Sequence, residues 1–189
     1  MLLRAASGSS STRASRHNFK VNAHSNPVND IENKAVLLFS PKSQAKASLY
    51  IELVDPQEKT IRIDWGEGNG VEKVTLDENG YINHTFSKDV DGYHVVIIDV
   101  TDVEILRDGD YDGAPIGVRE INAPKMTAFS TSSALTATPE IDFSHLPKLQ
   151  YVSFNAISSF VAPESLLSFS MYRSTGASAP YLTSIDLSR

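Results

Sequence analysis

Four short apolar triplets in the C-terminal part of the chain constrain its fold more than any other feature. Met126-x-x-Phe129-x-Thr131, Leu149-x-x-Val152-x-Phe154, Leu166-x-x-Phe169-x-Met171 and Leu182-x-x-Ile185-x-Leu187 start 23, 17 and 16 residues apart. Their flanks echo one another in Ala123-Pro124-Lys125, Leu146-Pro147-Lys148 and Ala179-Pro180-Tyr181. Ile141-Asp142-Phe143-Ser144 also matches Ile185-Asp186-Leu187-Ser188. Such a pattern predicts a short solenoid, in which each unit supplies one strand and stacked units share a core that none makes alone. The last triplet ends at Leu187, two residues before Arg189. The expectation is an outermost rung with exposed apolar surface and unpaired strand edges. A second copy, a neighbouring protein or the chain's own arm would cover it. Leu182, Ile185 and Leu187 are therefore candidate partner-docking residues.

Upstream, strand-like runs follow at short, regular spacing. They are Lys34–Ser40, Ala47–Val54, Thr60–Trp65, Val71–Leu76, Tyr81–Ser87, Gly92–Asp99 and Val103–Arg107. Seven short strands in about 75 residues predict a two-sheet sandwich. Ile61, Ile63 and Trp65 alternate, so one face of that strand points to a core. Asp77-Glu78-Asn79-Gly80 lies between two runs, and Asn-Gly takes positive φ readily, so a hairpin is expected there.

Charge divides the 189-residue chain, of net charge −6, into three regimes. Residues 1–29 carry Arg4, Arg13, Arg16 and Lys20 and no acid. Residues 30–112 hold 18 acids and 8 bases, and residues 113–189 hold 5 of each. This suggests three segments: an N-terminal arm over 1–33, a sandwich over 34–112 and a repeat segment over 113–189. The arm is Ser-rich and lacks apolar periodicity, so it reads as flexible or as ordering on an acidic partner. Arg4, Arg13, Arg16 and Lys20 are its candidate docking residues. The acidic balance and the single arm aromatic, Phe19, argue against nucleic acid. No run of 18 apolar residues predicts a membrane span. The start lacks the apolar stretch of a secretory signal, while its Arg/Ser-rich composition leaves a mitochondrial-type presequence open. With no cysteine, disulfides and thiolate chemistry are excluded.

Two resemblances emerge from these residues. Ile63-Asp64-Trp65-Gly66-Glu67-Gly68, His84-Thr85-Phe86 and Gly92-Tyr93-His94-Val95-Val96-Ile97 together resemble the polycystic-kidney-disease (PKD) domain, an immunoglobulin-like module. The likeness covers residues 34–107, with Glu67 where Asp is usual and Gly92 directly before Tyr93. It implies that Asp64, Trp65 and His84 are fold determinants. The L-x-x-L-x-L spacing resembles an irregular, Ser/Thr-rich leucine-rich repeat of bacterial surface proteins, with Asn155 the one candidate for the repeat's asparagine. The expected fold is mainly β: a PKD-like immunoglobulin-like β-sandwich, then a short solenoid similar to leucine-rich repeats, with an extended N-terminal arm.

Candidate chemistry is sparse. Asp108-Gly109-Asp110-Tyr111-Asp112-Gly113 has alternate carboxylates that suit a hard cation. Arg119 stands at the twelfth position, where a calcium loop needs a bidentate Glu. The segment reads as an acidic, solvated turn, with calcium on Asp108, Asp110 and Asp112 as the alternative. His17, His24, His84, His94 and His145 lack metal-ligand spacing. His84 and His94 are placed to meet across neighbouring strands, but are not expected to hold zinc. The glycine-rich stretch Gly66–Gly70 contains Glu67, which repels phosphate, and Asp89 and Asp91 fall in a turn. No catalytic signature is present, no cofactor is implied, and an enzyme is not expected. Tyr151, Tyr172 and Tyr181 would stack on sugars if exposed, although partial burial is the simpler expectation.

Together these features suggest a structural protein of a phage virion, such as a capsid decoration, head-fibre or tail-appendage component. It would assemble in the host cytoplasm, dock by its arm on other virion proteins or on copies of itself, and project interaction domains as part of an oligomer. The alternative is an extracellular or cell-surface adhesin, or a carbohydrate-binding accessory module, that meets a host-surface glycan or protein.

Overall fold

The computed structural model describes residues 31–109, 111–172 and 182–187. Within them the chain is mainly β, with one short 3-10 turn, Tyr111–Gly113, as the helical element. Fourteen strands follow in order. The first seven are β1 (Lys34–Phe39), β2 (Lys46–Leu53), β3 (Thr60–Asp64), β4 (Glu72–Thr75), β5 (Tyr81–Thr85), β6 (His94–Asp99) and β7 (Val103–Asp108). Each lies within a residue or two of a run expected from the alternation. The remainder are β8 (Gly117–Ile121), β9 (Ala128–Ala134), β10 (Glu140–Asp142), β11 (Tyr151–Ala156), β12 (Ser159–Val161), β13 (Ser168–Met171) and β14 (Ser184–Asp186).

One sheet has the order β4-β3-β6-β1-β8 and is antiparallel throughout. A second has the order β13-β11-β9-β7-β2-β5. Its β5, β2 and β7 run antiparallel, whereas β7, β9, β11 and β13 run parallel. Alternate residues of both sheets enter one apolar cluster: Leu37 and Phe39 from β1, Leu49 and Ile51 from β2, Ile63 from β3 and Ile98 from β6. Trp65 closes the end of β3, 6% exposed, with its ring stacked on His84 at 4.3 Å. The chain joins this body by Ile31, which is buried, and by the Asn33 carbonyl, which accepts the Val100 N–H at 2.9 Å.

From β7 onward the chain coils. Each turn lays one strand in the six-stranded sheet and the next on the opposite side, first β8 and then β10, β12 and β14. The last three form a parallel sheet of their own. This solenoid-like stacking is in register: Leu106 lies beside Phe129, Phe129 beside Val152, and Val152 beside Phe169. Between the two walls Phe129, Phe143, Phe154, Phe160 and Phe169 pack ring against ring, with successive centroids 5.0–6.3 Å apart. Edge-to-face and offset contacts of this kind add to simple area burial. Turns at Ala123-Pro124, Leu146-Pro147 and Ala162-Pro163 lead into β9, β11 and β13. Each is closed by a backbone bond, to Met126, Leu149 and Leu166 respectively. Proline suits such turns because its φ is already set.

Two expectations are corrected. The fourth apolar triplet does not stack on the other three. β14 pairs with β12 in the other wall, placing Ile185 beside Phe160, which in turn lies beside Ile141. The echo between Ile141-Asp142 and Ile185-Asp186 therefore marks equivalent positions of that second wall. The six-stranded sheet takes its first solenoid strand from β7, where Val103-x-x-Leu106-x-Asp108 carries the same spacing 23 residues before Met126. The turn at Asp77–Gly80 is real, with Gly80 at φ 86° and its N–H on the Asp77 carbonyl at 3.1 Å. It makes no hairpin, however: β4 joins the five-stranded sheet and β5 the six-stranded one, so the turn is a corner between sheets.

Candidate functional site

Parallel pairing sets the side chains of the six-stranded sheet in rows. Inward positions fill the phenylalanine core. On the outward side one row crosses all six strands: Tyr81, Tyr50, Arg107, Ser130, Ser153 and Ser170. The next row runs Glu52, Ile105, Ala128, Tyr151 and Ser168. Beyond the serine row come Ser132, Asn155 and Tyr172. Over β9, β11 and β13 this outward face carries hydroxyls, amide and aromatic rings and no charged side chain.

Its margins are held firmly. Tyr50 and Tyr81 meet edge to face at 5.2 Å, and the Arg107 guanidinium lies 4.1 Å above the Tyr50 ring. That cation–π contact restrains Arg107, the one cation bordering the serine row among the described residues. The Tyr50 hydroxyl donates to Glu52 at 3.0 Å, and burial together with that carboxylate raises the phenol above its usual value. At the other margin the Asp108 carboxylate accepts from both the N–H (2.8 Å) and the hydroxyl of Ser132. The Asn155 amide donates to the Ser132 carbonyl, tying β11 to β9.

Two shallow clefts share Ser130 and Ser153. One, of about 360 Å³, reaches Asp108, Ser132, Asn155 and Tyr172. The other, of about 280 Å³, reaches Arg107, Tyr151, Ser168 and Ser170. Tyr151 is 51% and Tyr172 76% exposed, so both rings are free of the core, against the expectation of partial burial. Tyr181 lies outside the described residues.

A second polar cluster sits at the 66–70 turn. Glu67 accepts the N–H and hydroxyl of Ser87 on Oε1, each at 2.7 Å, and lies 2.9 Å from His84 Nε2 on Oε2. Burial opposes the charge, but the Ser87 bonds and His84 outweigh it and hold this carboxyl below the usual range. Asp64 accepts the Gly66 N–H at 2.8 Å. These contacts fasten the turn between β3 and β4 onto β5 and the residues just after it. His84 and His94 do not form a pair: each ring packs on Phe86, His84 edge to face at 5.1 Å and His94 stacked at 3.8 Å. The described residues contain no group of three or more His, Asp or Glu that could hold a metal ion.

The remaining sequence candidates fall as follows. Asp108 is engaged by Ser132, Asp112 is exposed in the 3-10 turn, and Asp110 lies outside the described residues. Arg4, Arg13, Arg16 and Lys20 also lie outside them. Ile185 (39%) and Leu187 (60%) are exposed, while Leu182 packs partly on the core. Among the described residues β13 and β14 are the outermost strands of their sheets. Sequence reasoning missed the outward rows, whose one available signal was serine alternating with core residues in Phe129-Ser130-Thr131-Ser132 and in Ser168-Phe169-Ser170-Met171.

Comparison with protein-family models, curated proteins and solved structures returned no match for this chain. Among the described residues no helix is long and apolar enough to cross a membrane.

Proposed function

We propose that this chain is a non-enzymatic structural and interaction protein, a phage virion component that docks by its N-terminal arm and holds its β body outward. In this reading residues 34–107 form a PKD-like, immunoglobulin-type sandwich, and the later rungs are a variant of the leucine-rich repeat. Support for the sandwich comes from Trp65 and Phe86 in the shared core and from Gly66 and Gly68 at φ 76° and 89° after Trp65.

The observation that carries the proposal is the unbroken six-stranded sheet. Its hydrogen-bonded ladder passes from β5 to β13. A body built this way resists bending between its two parts and suits a projecting support. The test is protein identification on density-purified particles from the source culture, with the full chain and with residues 1–30 deleted. Fixed stoichiometry with a capsid or tail protein, lost on deletion, is expected. Recovery of the full chain only as free protein or on the cell envelope would overturn the virion reading.

A second reading, as a surface adhesin or carbohydrate-binding accessory module, is favoured by the exposure of Tyr151 and Tyr172.

A further inference from the structure

We propose that the outward face of β9, β11 and β13 is a binding site for a neutral oligosaccharide, with Tyr151 and Tyr172 as its two stacking platforms. This rests on reading the chain as an interaction protein and names the ligand class for that surface.

Geometry comes first. Tyr151 begins β11, and Tyr172 follows β13 with its N–H on the Phe154 carbonyl at 2.8 Å. Since Phe154 lies beside Met171, Tyr172 is level with Asn155, four residues along from Tyr151. At about 3.3 Å per residue the two residues stand about 13 Å apart along the strands, on neighbouring strands about 4.8 Å apart. Ser153 and Ser170 lie between them, side by side. The two clefts that meet at Ser130 and Ser153 run from one tyrosine to the other.

The chemistry then selects the ligand. An anionic or cationic ligand needs a counter-charge, and the outward positions of these three strands hold none. Arg107 at the margin is drawn onto Tyr50, and Asp108 onto Ser132. An amphipathic helix needs an apolar groove, whereas the rows between the rings are serine. A β-strand ligand would pair along a sheet edge, leaving this face unused. A neutral sugar chain uses what is present. Its C–H faces lie against the electron-rich faces of exposed tyrosines. Its hydroxyls both donate and accept, as do the serine hydroxyls beneath them. The rigid, paired sheet leaves little to order on binding.

The experiment is titration calorimetry of the purified full-length protein with maltohexaose, cellohexaose, chitohexaose and mannohexaose, and with a sialylated oligosaccharide of similar length as the anionic control. At least one neutral hexasaccharide is expected to bind. Tyr151→Ala and Tyr172→Ala should each weaken that binding about tenfold, the usual scale for an aromatic anchor. Tyr93→Ala, at another exposed tyrosine, should leave it unchanged. Both tyrosines are exposed, so circular dichroism and Tm of the variants should match the parent. The proposal is overturned if no neutral hexasaccharide binds at millimolar concentration, if only the sialylated one binds, or if binding survives both substitutions. Each of these outcomes is independent of particle incorporation, so it can fail while the virion reading stands, and the reverse also holds.

Discussion

The His94 imidazole lies face to face with the Phe86 ring, centroids 3.8 Å apart and planes 6° from parallel, with neither ring nitrogen hydrogen-bonded. His94 is 1% exposed, and burial holds its pKa below the ordinary 6.5, the nearby Lys42 backbone offsetting only part of the effect. The folded state therefore keeps the ring neutral, while the unfolded chain protonates it as pH drops through 6.5. Stability from this residue is complete above that pH and falls below it, by at most about 1.4 kcal/mol per pH unit. In urea unfolding at pH 7.5 and 5.5, the parent should lose more stability than His94→Phe over the same interval. Equal losses would mean that His94 stays uncharged in the unfolded chain or finds a partner in the folded one.

Glu67 has the opposite sign. Its carboxylate is depressed below the ordinary 4.5, so its contribution is present above that pH and lost as pH falls through the lowered value. Glu67→Ala removes the acceptor for Ser87 and His84. At pH 7 it should cost about 2 kcal/mol, a fall in Tm of roughly 4–8 °C for a chain of this size. The gap between variant and parent should narrow in thermal melts taken below pH 4.5. A gap that is constant with pH would assign the effect to packing alone.

Two glycines of one turn should respond differently to alanine. Both have positive φ, but a Cβ on Gly66 would sit 2.4 Å from the Val95 carbonyl oxygen, whereas one on Gly68 meets nothing within 4 Å. Gly68→Ala bears only the left-handed backbone cost of about 1 kcal/mol. Gly66→Ala adds a clash with backbone that cannot swing aside, and should lose at least about 2 kcal/mol more. Chemical denaturation of the two variants checks the order, and equal losses would contradict it.

Phe154 is fully buried and touches Phe129, Phe143, Phe160 and Phe169. Phe154→Ala should cost about 3–5 kcal/mol through lost transfer energy and the cavity left behind. Because those partners span adjacent rungs, the loss should separate the unfolding of the last rungs from the rest. Amide hydrogen exchange would show protection falling in β11–β14 before β1–β7. Uniform loss across all strands would place the rungs and β1–β7 in one cooperative unit.

Strand positions were legible because alternation is local. Ile61-Arg62-Ile63-Asp64-Trp65 carries its inward and outward faces in consecutive residues, and the same holds for Phe129 and Phe169 among their serines. A turn at Asn79-Gly80 was also legible, since left-handed φ is a property of the residue. Which sheet a strand enters was not. β4 and β5 flank that turn yet part to different sheets, and Leu182-x-x-Ile185 has the spacing of the first wall but lies in the second. β7 was hidden as the first rung because Asp108 stands where Thr131 and Phe154 stand in the next two. The candidate binding face was invisible for the same reason: Ser130, Tyr151, Ser153, Ser170 and Tyr172 are scattered over more than forty residues of chain. The sequence alone determined a β protein with a repeated apolar core, because side-chain alternation and turn chemistry act between near neighbours. The tertiary structure decided the order of the strands, the continuity of the six-stranded sheet and the rows on its outer face, because register is set by long-range pairing that buries Phe129, Phe143, Phe154 and Phe160 together.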